Sequence, residues 1–256
     1  MSSSTSLRRQ QIAHFVNEHS FCDVNTIIDY FNVSPATIRR DLSYLEKNGL
    51  LRRSHGVVHA SNSSPIPSFY TRQTIYSEEK KRMGQYAAQM VEDGATVLID
   101  GGTSTSMVLK SIPPKKNLTI ISNSISVLPI SAQLINSLSD FILLGGQIDH
   151  KNLTTYGPFA EQILDGMSAD ILFLGTTGIL NDGLMTHNLL QANIKRKMIQ
   201  RAKKCVLLAD ARKFCISGTF RFATFSDIDV VVTSEPIQDE TIRHTLETLG
   251  VEVVVV

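Results

Sequence analysis

The run Ser34-Pro35-Ala36-Thr37-Ile38-Arg39-Arg40-Asp41-Leu42, continued through residues 43–49, carries its own start and stop signals. Ser34 can cap free backbone N–H groups, Pro35 suits the first helical position because its missing N–H would have no partner there, and Gly49 suits a left-handed exit. At about 100° per residue, Ile38, Leu42 and Leu45 share one stripe. Ala36, Arg40, Ser43 and Lys47 share the opposite one, flanked by Thr37, Arg39 and Tyr44. A face that is small at its start and basic further along fits a groove lined with phosphates and base edges. Taken alone it is equally a solvated basic helix face, so its neighbours decide.

Upstream, residues 7–19 read as a helix with Leu7, Ile12, Phe15 and Val16 as apolar members and Arg8-Arg9 at its start. Val24, Ile27, Ile28 and Phe31 mark a second helix behind a cap at residues 23–25. Three residues, 32–34, separate it from the opening one. This spacing predicts a helix-turn-helix over residues 22–41 whose last helix enters the major groove. Downstream, residues 50–59 set apolar and basic residues around His55-Gly56, the pattern of a small β-hairpin or wing. Its Arg52-Arg53 pair can reach phosphate or the minor groove, although a plain surface hairpin has the same pattern. The expected DNA contacts are Ser34, Ala36, Thr37, Arg39, Arg40, Ser43, Tyr44, Lys47, Arg52, Arg53 and His55.

Residues 9–58, with Val-Ser-Pro-Ala-Thr-Ile-Arg-Arg-Asp-Leu at their centre and Leu-Glu-Lys-Asn-Gly-Leu-Leu-Arg-Arg-Ser-His-Gly after it, resemble the DeoR family of bacterial transcriptional regulators. The resemblance implies that the helix begun by Ser34 is the recognition helix and that the Arg and His-Gly segment is the wing. Where the family commonly has a second glycine and a small residue after His-Gly, this chain has Val57 and Val58, which implies a stiffer wing.

The 256 residues give room for two domains at roughly 100–200 residues each. With 42% hydrophobic residues a sizeable core is expected. Apolar runs fall well short of the roughly 18 residues of a membrane span, and the polar first six residues lack a secretory h-region. A cytoplasmic protein is expected. Cys22, Cys205 and Cys215 show no CxxC or Cys/His spacing, so no disulfide framework, metal site or cofactor is expected. Residues 1–60 hold seven Lys/Arg against five Asp/Glu, and the basic charge there falls mostly in adjacent pairs, a weak nucleic-acid footprint.

Residues 60–68 are Ser/Pro-rich and uncharged, which predicts an extended linker. The expected domains are 5–60, a winged helix-turn-helix; 61–76, a linker; and 77–256, an α/β domain. Its first helix is expected from Ser77, as cap, to about Val91, with Met83, Tyr86, Ala87 and Met90 inward. Apolar runs at 96–99, 118–121, 141–144, 171–174, 205–208, 228–232 and 251–256 alternate with helical stretches, which predicts a mainly parallel sheet.

Ligands in such sheets bind at the carboxyl ends of the strands. There stand Asp100-Gly101-Gly102-Thr103-Ser104-Thr105, a loop of glycines and hydroxyls able to cradle phosphate, and Asn123, Gly145, Gly146, Gly175 and Thr177. Glycine turns at strand ends are also common structural devices, and the Gly-Lys-Ser/Thr ending of a Walker loop is absent. Lys195 and Lys213 are the candidate cations, while Arg196 and Lys197 are expected to be solvated. The family resemblance continues in Asp-Gly-Gly-Thr-Ser, Ser-Asn-Ser, Leu-Gly-Gly, Leu-Gly-Thr-Thr-Gly-Ile and Ile-Lys-Arg, with Gln191 where many members carry a glutamate. It implies an isomerase-like sensor domain for a phosphorylated sugar or related metabolite, and a homo-oligomer, dimer or tetramer, on double-stranded operator DNA. The expected function is a regulator, a repressor of a sugar operon, without enzymatic activity. The alternative is a sugar-phosphate isomerase-like enzyme fused to a DNA-binding module, with Asp100, Asp149, Asp182, His187 and Asp210 as its candidate acids and bases.

Overall fold

Asp23 and Ser34 start the two helices of the expected turn. In the computed structural model the Asp23 carboxylate accepts from Asn25 N (2.7 Å) at the head of α1 (Val24–Phe31), and Ser34 Oγ accepts from Thr37 N (3.3 Å) at the head of α2 (Pro35–Lys47). Asn32 makes the turn between them in the left-handed region, φ 48°. The structure describes residues 5, 8, 9, 11–13, 15, 16, 21–48, 50–54, 57–60, 68–134, 136–216 and 218–256. Gly49, His55, Gly56 and linker residues 61–67 lie outside them, as does much of the expected helix at 7–19.

Two compact units result, Met1–Arg72 and Gln73–Val256. The core of the first gathers Ile12, Phe15, Val16, Ile27, Ile38, Leu42 and Leu45, so the apolar stripe of α2 is the buried one. The hairpin is present as β2 (Leu51–Ser54) and β3 (Val57–Ala60). A strand missed by the sequence pattern, β1 (Phe21–Asp23), pairs with β3 and completes the order β1-β3-β2. A short helix, α3 (Phe69–Thr74), occupies part of the expected linker.

In the second unit, α4 (Ser77–Ala88) buries Lys80, Met83, Gly84, Ala87 and Ala88. Two expectations are corrected here. Tyr86 is exposed, because the buried stripe follows 80, 83, 84, 87 and 88; and Ser77 is the first helical residue, behind a left-handed Tyr76 that makes no side-chain cap. Gly84 lets α4 close on α5 (Thr105–Ser111): a Cβ there would stand 2.6 Å from the Met107 backbone. Among the described residues, seven parallel strands form one sheet. They are β4 (Thr96–Ile99), β5 (Leu118–Ser122), β6 (Leu138–Leu143), β9 (Ile171–Gly175), β12 (Cys205–Leu208), β14 (Val230–Thr233) and β15 (Glu252–Val255). All seven predicted runs are these strands, with ends shifted by up to three residues.

Alternate side chains of the strands enter two cores, one on each face. Val97, Ile99, Phe173 and Val206 meet α4 and α5 on one face. Leu98, Leu172, Leu174 and Leu207 meet α7 (Pro158–Asp165), α8 (Leu189–Gln200) and α9 (Glu240–Thr248) on the other. A one-turn helix, α6 (Leu128–Ser131), follows β5. The strand order β15-β14-β12-β9-β4-β5-β6 reverses between β4 and β9, so their carboxyl ends flank a crevice of the kind that binds ligands. Short antiparallel strands rim it: β7 (Gln147–Asp149) with β8 (Thr154–Tyr156), and β10 (Gly178–Leu180) with β11 (Gly183–Thr186) and β13 (Phe220–Ala223). No described helix is long and apolar enough to cross a membrane.

Candidate DNA interface and ligand cradle

The outer face of α2 is laid out as its periodicity predicts. Ser34, Ala36, Arg39, Arg40, Ser43, Tyr44 and Lys47 are exposed and Thr37 is half-buried, with its hydroxyl 2.9 Å from that of Ser34. Ser43 Oγ donates to the Arg39 carbonyl (2.8 Å). Among the described residues Arg39, Arg40, Lys47 and Arg52 make no ion pair. Arg8, Arg9 and Arg53 do.

Asp41, which follows the two arginines, is buried and points away from the outer face. Its carboxylate accepts from Arg8 Nε and Arg9 Nε, each at 2.7 Å, and the Arg9 guanidinium lies 3.9 Å from the centre of the Tyr44 ring. Arg8 and Arg9 thus fasten the first helical segment to α2. Sequence reasoning missed this; the signal was a carboxylate on the apolar stripe, where only a paired charge is stable. Arg53 differs from Arg52 in the same way. Its backbone N–H and guanidinium both bond Glu46 (2.9 and 2.8 Å), and this pairing holds the Glu46 carboxyl below its usual range. Arg53 therefore braces the wing against α2, whereas Arg52 has no ion-pair partner among the described residues. His55 lies outside the described residues.

In the second unit the structure brings Asp100, Gly101, Asn123, Gly175 and Lys195 together. Lys195, one face of α8 inward, donates to the Asp100 carboxylate and to the Gly175 carbonyl (2.9 Å). Asp100 also accepts from Gly175 N (2.9 Å), so one buried carboxylate closes the gap between β4 and β9. The expectation that Lys195 awaits a ligand anion is corrected in part. Two of its three N–H groups are used within the protein, and the Phe222 ring lies 5.3 Å from its nitrogen.

Asn123 Oδ1 accepts from Gly101 N (2.8 Å) while its Nδ2 donates to the Thr155 carbonyl (3.1 Å), tying the loop to β8. Thr105 Oγ1 donates to the Asp100 and Gly102 carbonyls (2.6 and 3.0 Å). Thr103 and Ser104 are buried, and Gly101 and Gly102 half-exposed, so the glycines are the open part of the loop. Gly145 and Gly146 are exposed beyond β6. Gly146 serves the backbone: at φ +117° it passes so close to Tyr156 that a Cβ would meet the carbonyl at 2.5 Å. Thr177 is half-buried and its N–H bonds the Met185 carbonyl (3.2 Å).

Lys213 belongs to a second cluster beside this one, since Leu208 pairs in register with Gly175. Asp210, fully buried, takes both Nε and Nη2 of Arg212 (2.9 and 3.0 Å), and Arg212 stacks 3.8 Å over Tyr76. Burial alone would raise the Asp210 pKa, yet Lys213, Arg212 and Lys80 hold it below the ordinary value. Of the remaining acid and base candidates, Asp182 pairs with Arg221 (3.0 Å), His187 Nδ1 lies 3.4 Å from Thr219 Oγ1, and Asp149 accepts from Gln191 (3.1 Å). Arg196 and Lys197, expected to be solvated, are engaged: Arg196 with Asn193 (2.9 Å) and Lys197 with Asp165 (2.8 Å). Among the described residues no group of three or more His, Cys, Asp or Glu is placed to hold a metal ion.

Comparison with known proteins gives two family matches in the same order as the two sites. The DeoR-like helix-turn-helix domain matches residues 8–64 and the DeoR C terminal sensor domain residues 75–235. The chain is 30% identical to the HTH-type transcriptional regulator IolR of Bacillus subtilis, over 94% of this chain and 96% of that one. It is 31% identical to the HTH-type transcriptional regulator GlpR of Haloferax volcanii, over 96% of each. The glycerol-3-phosphate regulon repressor of Escherichia coli is 28% identical over 90% of each.

Proposed function

The chain belongs to the DeoR family of DNA-binding transcriptional regulators; from that premise we propose that it represses a sugar or carbohydrate operon and that a phosphorylated sugar in its sensor domain modulates operator affinity. One observation carries the DNA side of this reading. In a unit where Arg8, Arg9 and Arg53 are neutralised by carboxylates, the outward residues Arg39, Arg40, Lys47 and Arg52 have no ion-pair partner among the described residues. Uncompensated charge on one face is what phosphate neutralisation needs. The working division is 5–60 for the winged helix-turn-helix, 61–76 for the linker and 77–256 for the sensor. Meeting two half-sites at fixed spacing needs two copies of α2, so the active species is a homo-oligomer in the cytoplasm.

The ligand side is supported by the Lys195 and Asp100 pair beneath the glycine loop. Desolvation makes a buried ion pair a weak source of stability, so its place at the strand switch point favours a binding role. The relatives named for glycerol-3-phosphate and other regulons agree with a phosphorylated effector. The same pairing argues against an isomerase, because the candidate acids and bases are each tied to a protein partner. A bound ligand alters operator affinity only through its differential affinity for two states, about 1–3 kcal/mol of coupling in typical cases. The test is operator binding by fluorescence anisotropy at fixed salt, with and without saturating sugar phosphates. Lower affinity with one of them is expected. Unchanged affinity with all of them, or turnover of any, defeats the proposal.

A further inference from the structure

We propose that the buried hydroxyl of Thr154 and the side-chain amide of Gln191 form the wall of the cradle that reads ligand hydroxyls, so that the site selects polyhydroxylated phosphate esters over bare phosphate. The inference rests on the ligand reading above and deepens it.

Thr154 heads β8, is 3% exposed, and its Oγ1 has no hydrogen-bond partner among the described residues. Four other buried hydroxyls of this region, those of Thr105, Ser106, Ser122 and Thr155, each donate to a backbone carbonyl. A buried hydroxyl left alone costs stability, so it calls for a functional account. Its position supplies one. A Cβ on Gly101 would come within 2.1 Å of the Thr154 methyl, so the side chain lies directly against the open glycine of the loop.

Across the β7 and β8 ladder from Thr154 is Asp149. It accepts from Lys151 N and Asn152 N (3.0 Å each), Asn152 Nδ2 (2.8 Å) and Gln191 Nε2 (3.1 Å). Four donors fill the roughly four acceptor sites of a carboxylate, so Asp149 has none to offer a ligand. It orients Gln191 instead. From the other side Thr186 Oγ1 donates to Gln191 Oε1 (3.2 Å). The amide is thereby held at both ends, keeping one N–H and one lone pair. Gln191 lies one turn before Lys195 on α8, so it projects from the same helix face as the ammonium that binds Asp100. Thr154 and Gln191 each give and accept a hydrogen bond, which suits neighbouring hydroxyls. Asp149 and Thr186 are positioning residues.

The experiment is calorimetric titration of the full chain with inorganic phosphate, ribose 5-phosphate and fructose 6-phosphate. The wild type should prefer at least one ester to inorganic phosphate. Thr154→Val keeps the methyl and removes the hydroxyl, and should reduce that preference about three- to tenfold, the size of one ordinary hydrogen bond. It should also raise the ligand-free Tm by roughly 2–4 °C, since the unsatisfied group is gone, and this confirms that the variant folds. Gln191→Leu should reduce the preference at least as much. A wild type without preference, or a Thr154→Val protein that keeps it, overturns the wall while leaving the phosphate cradle standing. A wild type that binds none of the three ligands defeats the cradle reading and this proposal with it.

Discussion

Replacing Asp41 with alanine should weaken DNA binding from a position that faces away from DNA. The carboxylate is 2% exposed and receives two charge-assisted hydrogen bonds of 2.7 Å, from guanidinium groups on side chains that are 25% and 16% exposed. Bonds to charged groups contribute about 1.5–3 kcal/mol each, and removing one partner of a buried pair costs about 3–5 kcal/mol. Partial exposure of the arginines favours the low end, about 3 kcal/mol. For a unit of this size total stability is on the order of 4–11 kcal/mol, so the loss is a large share. In a domain of 60–100 residues it lowers Tm by roughly 12–24 °C. Scanning calorimetry of the full chain should show the melting of the first unit displaced downward and that of the second unmoved. Operator affinity should be close to normal at 15 °C and collapse well below the wild-type melting temperature. A double-mutant cycle of Asp41→Ala with Arg8→Ala and Arg9→Ala should return a coupling above about 1 kcal/mol. A displacement under 3 °C, or a cycle that is simply additive, would show that the buried pairing does not hold the first helical segment to α2.

Arg40→Ala should weaken operator binding by about 1–3 kcal/mol if the side chain reads a base, whereas a phosphate role lowers the salt slope by about one and weakens all sequences alike; unchanged affinity at low salt would place DNA on another face. Gly101→Ala drives a Cβ to within 2.1 Å of the Thr154 methyl, so any sugar-phosphate thermal shift of the wild type should disappear while operator binding persists; a retained shift contradicts the assigned cradle. Asp210 has a folded pKa held below its unfolded value of about 3.9, so its contribution is complete above about pH 5 and fades as pH falls through the folded pKa. Urea unfolding of wild type and Asp210→Asn should therefore differ at pH 7 by an amount that narrows as the pH falls below about 4, and a gap independent of pH would remove the carboxylate from that account.

Elements defined by local chemistry were readable from the sequence. Caps at Asp23 and Ser34, the apolar stripe of α2 and the seven apolar strand runs all express local rules, and each is present, although the edge strands β6 and β15 are not buried as the central ones are. Elements defined by a distant partner were not. β1 exists because residues 21–23 meet β3, and β11 because its edge is completed by β13, far along the chain. The same division applies to the sites. The strand-end loop with Asp100 and Asn123 was recognisable, because position after a parallel strand is a topological matter. That Lys195 would spend its charge on Asp100, Arg53 on Glu46, and Arg8 and Arg9 on Asp41 depends on which side chains the fold brings within 3 Å. Thr154 gave no sequence signal at all, since an unsatisfied hydroxyl is a property of the packed state.

The reversal of strand order between β4 and β9 also governs how the sheet can be assembled during synthesis. β4, β5 and β6 emerge consecutively and pair in that order, which completes one half of the sheet. β4 is nevertheless a central strand, and its other edge is paired only when β9 arrives, about thirty residues after β6 ends. At roughly 5–20 residues per second of translation, that edge, made once residue 99 is added and met only from residue 171, stays open for about 4–14 s. An open apolar strand edge is a template for wrong pairing. The crevice flanked by these two strands is thus also a seam that the nascent chain leaves open, and the Asp100 carboxylate bridging to Gly175 and Lys195 is the polar clasp across it in the folded chain.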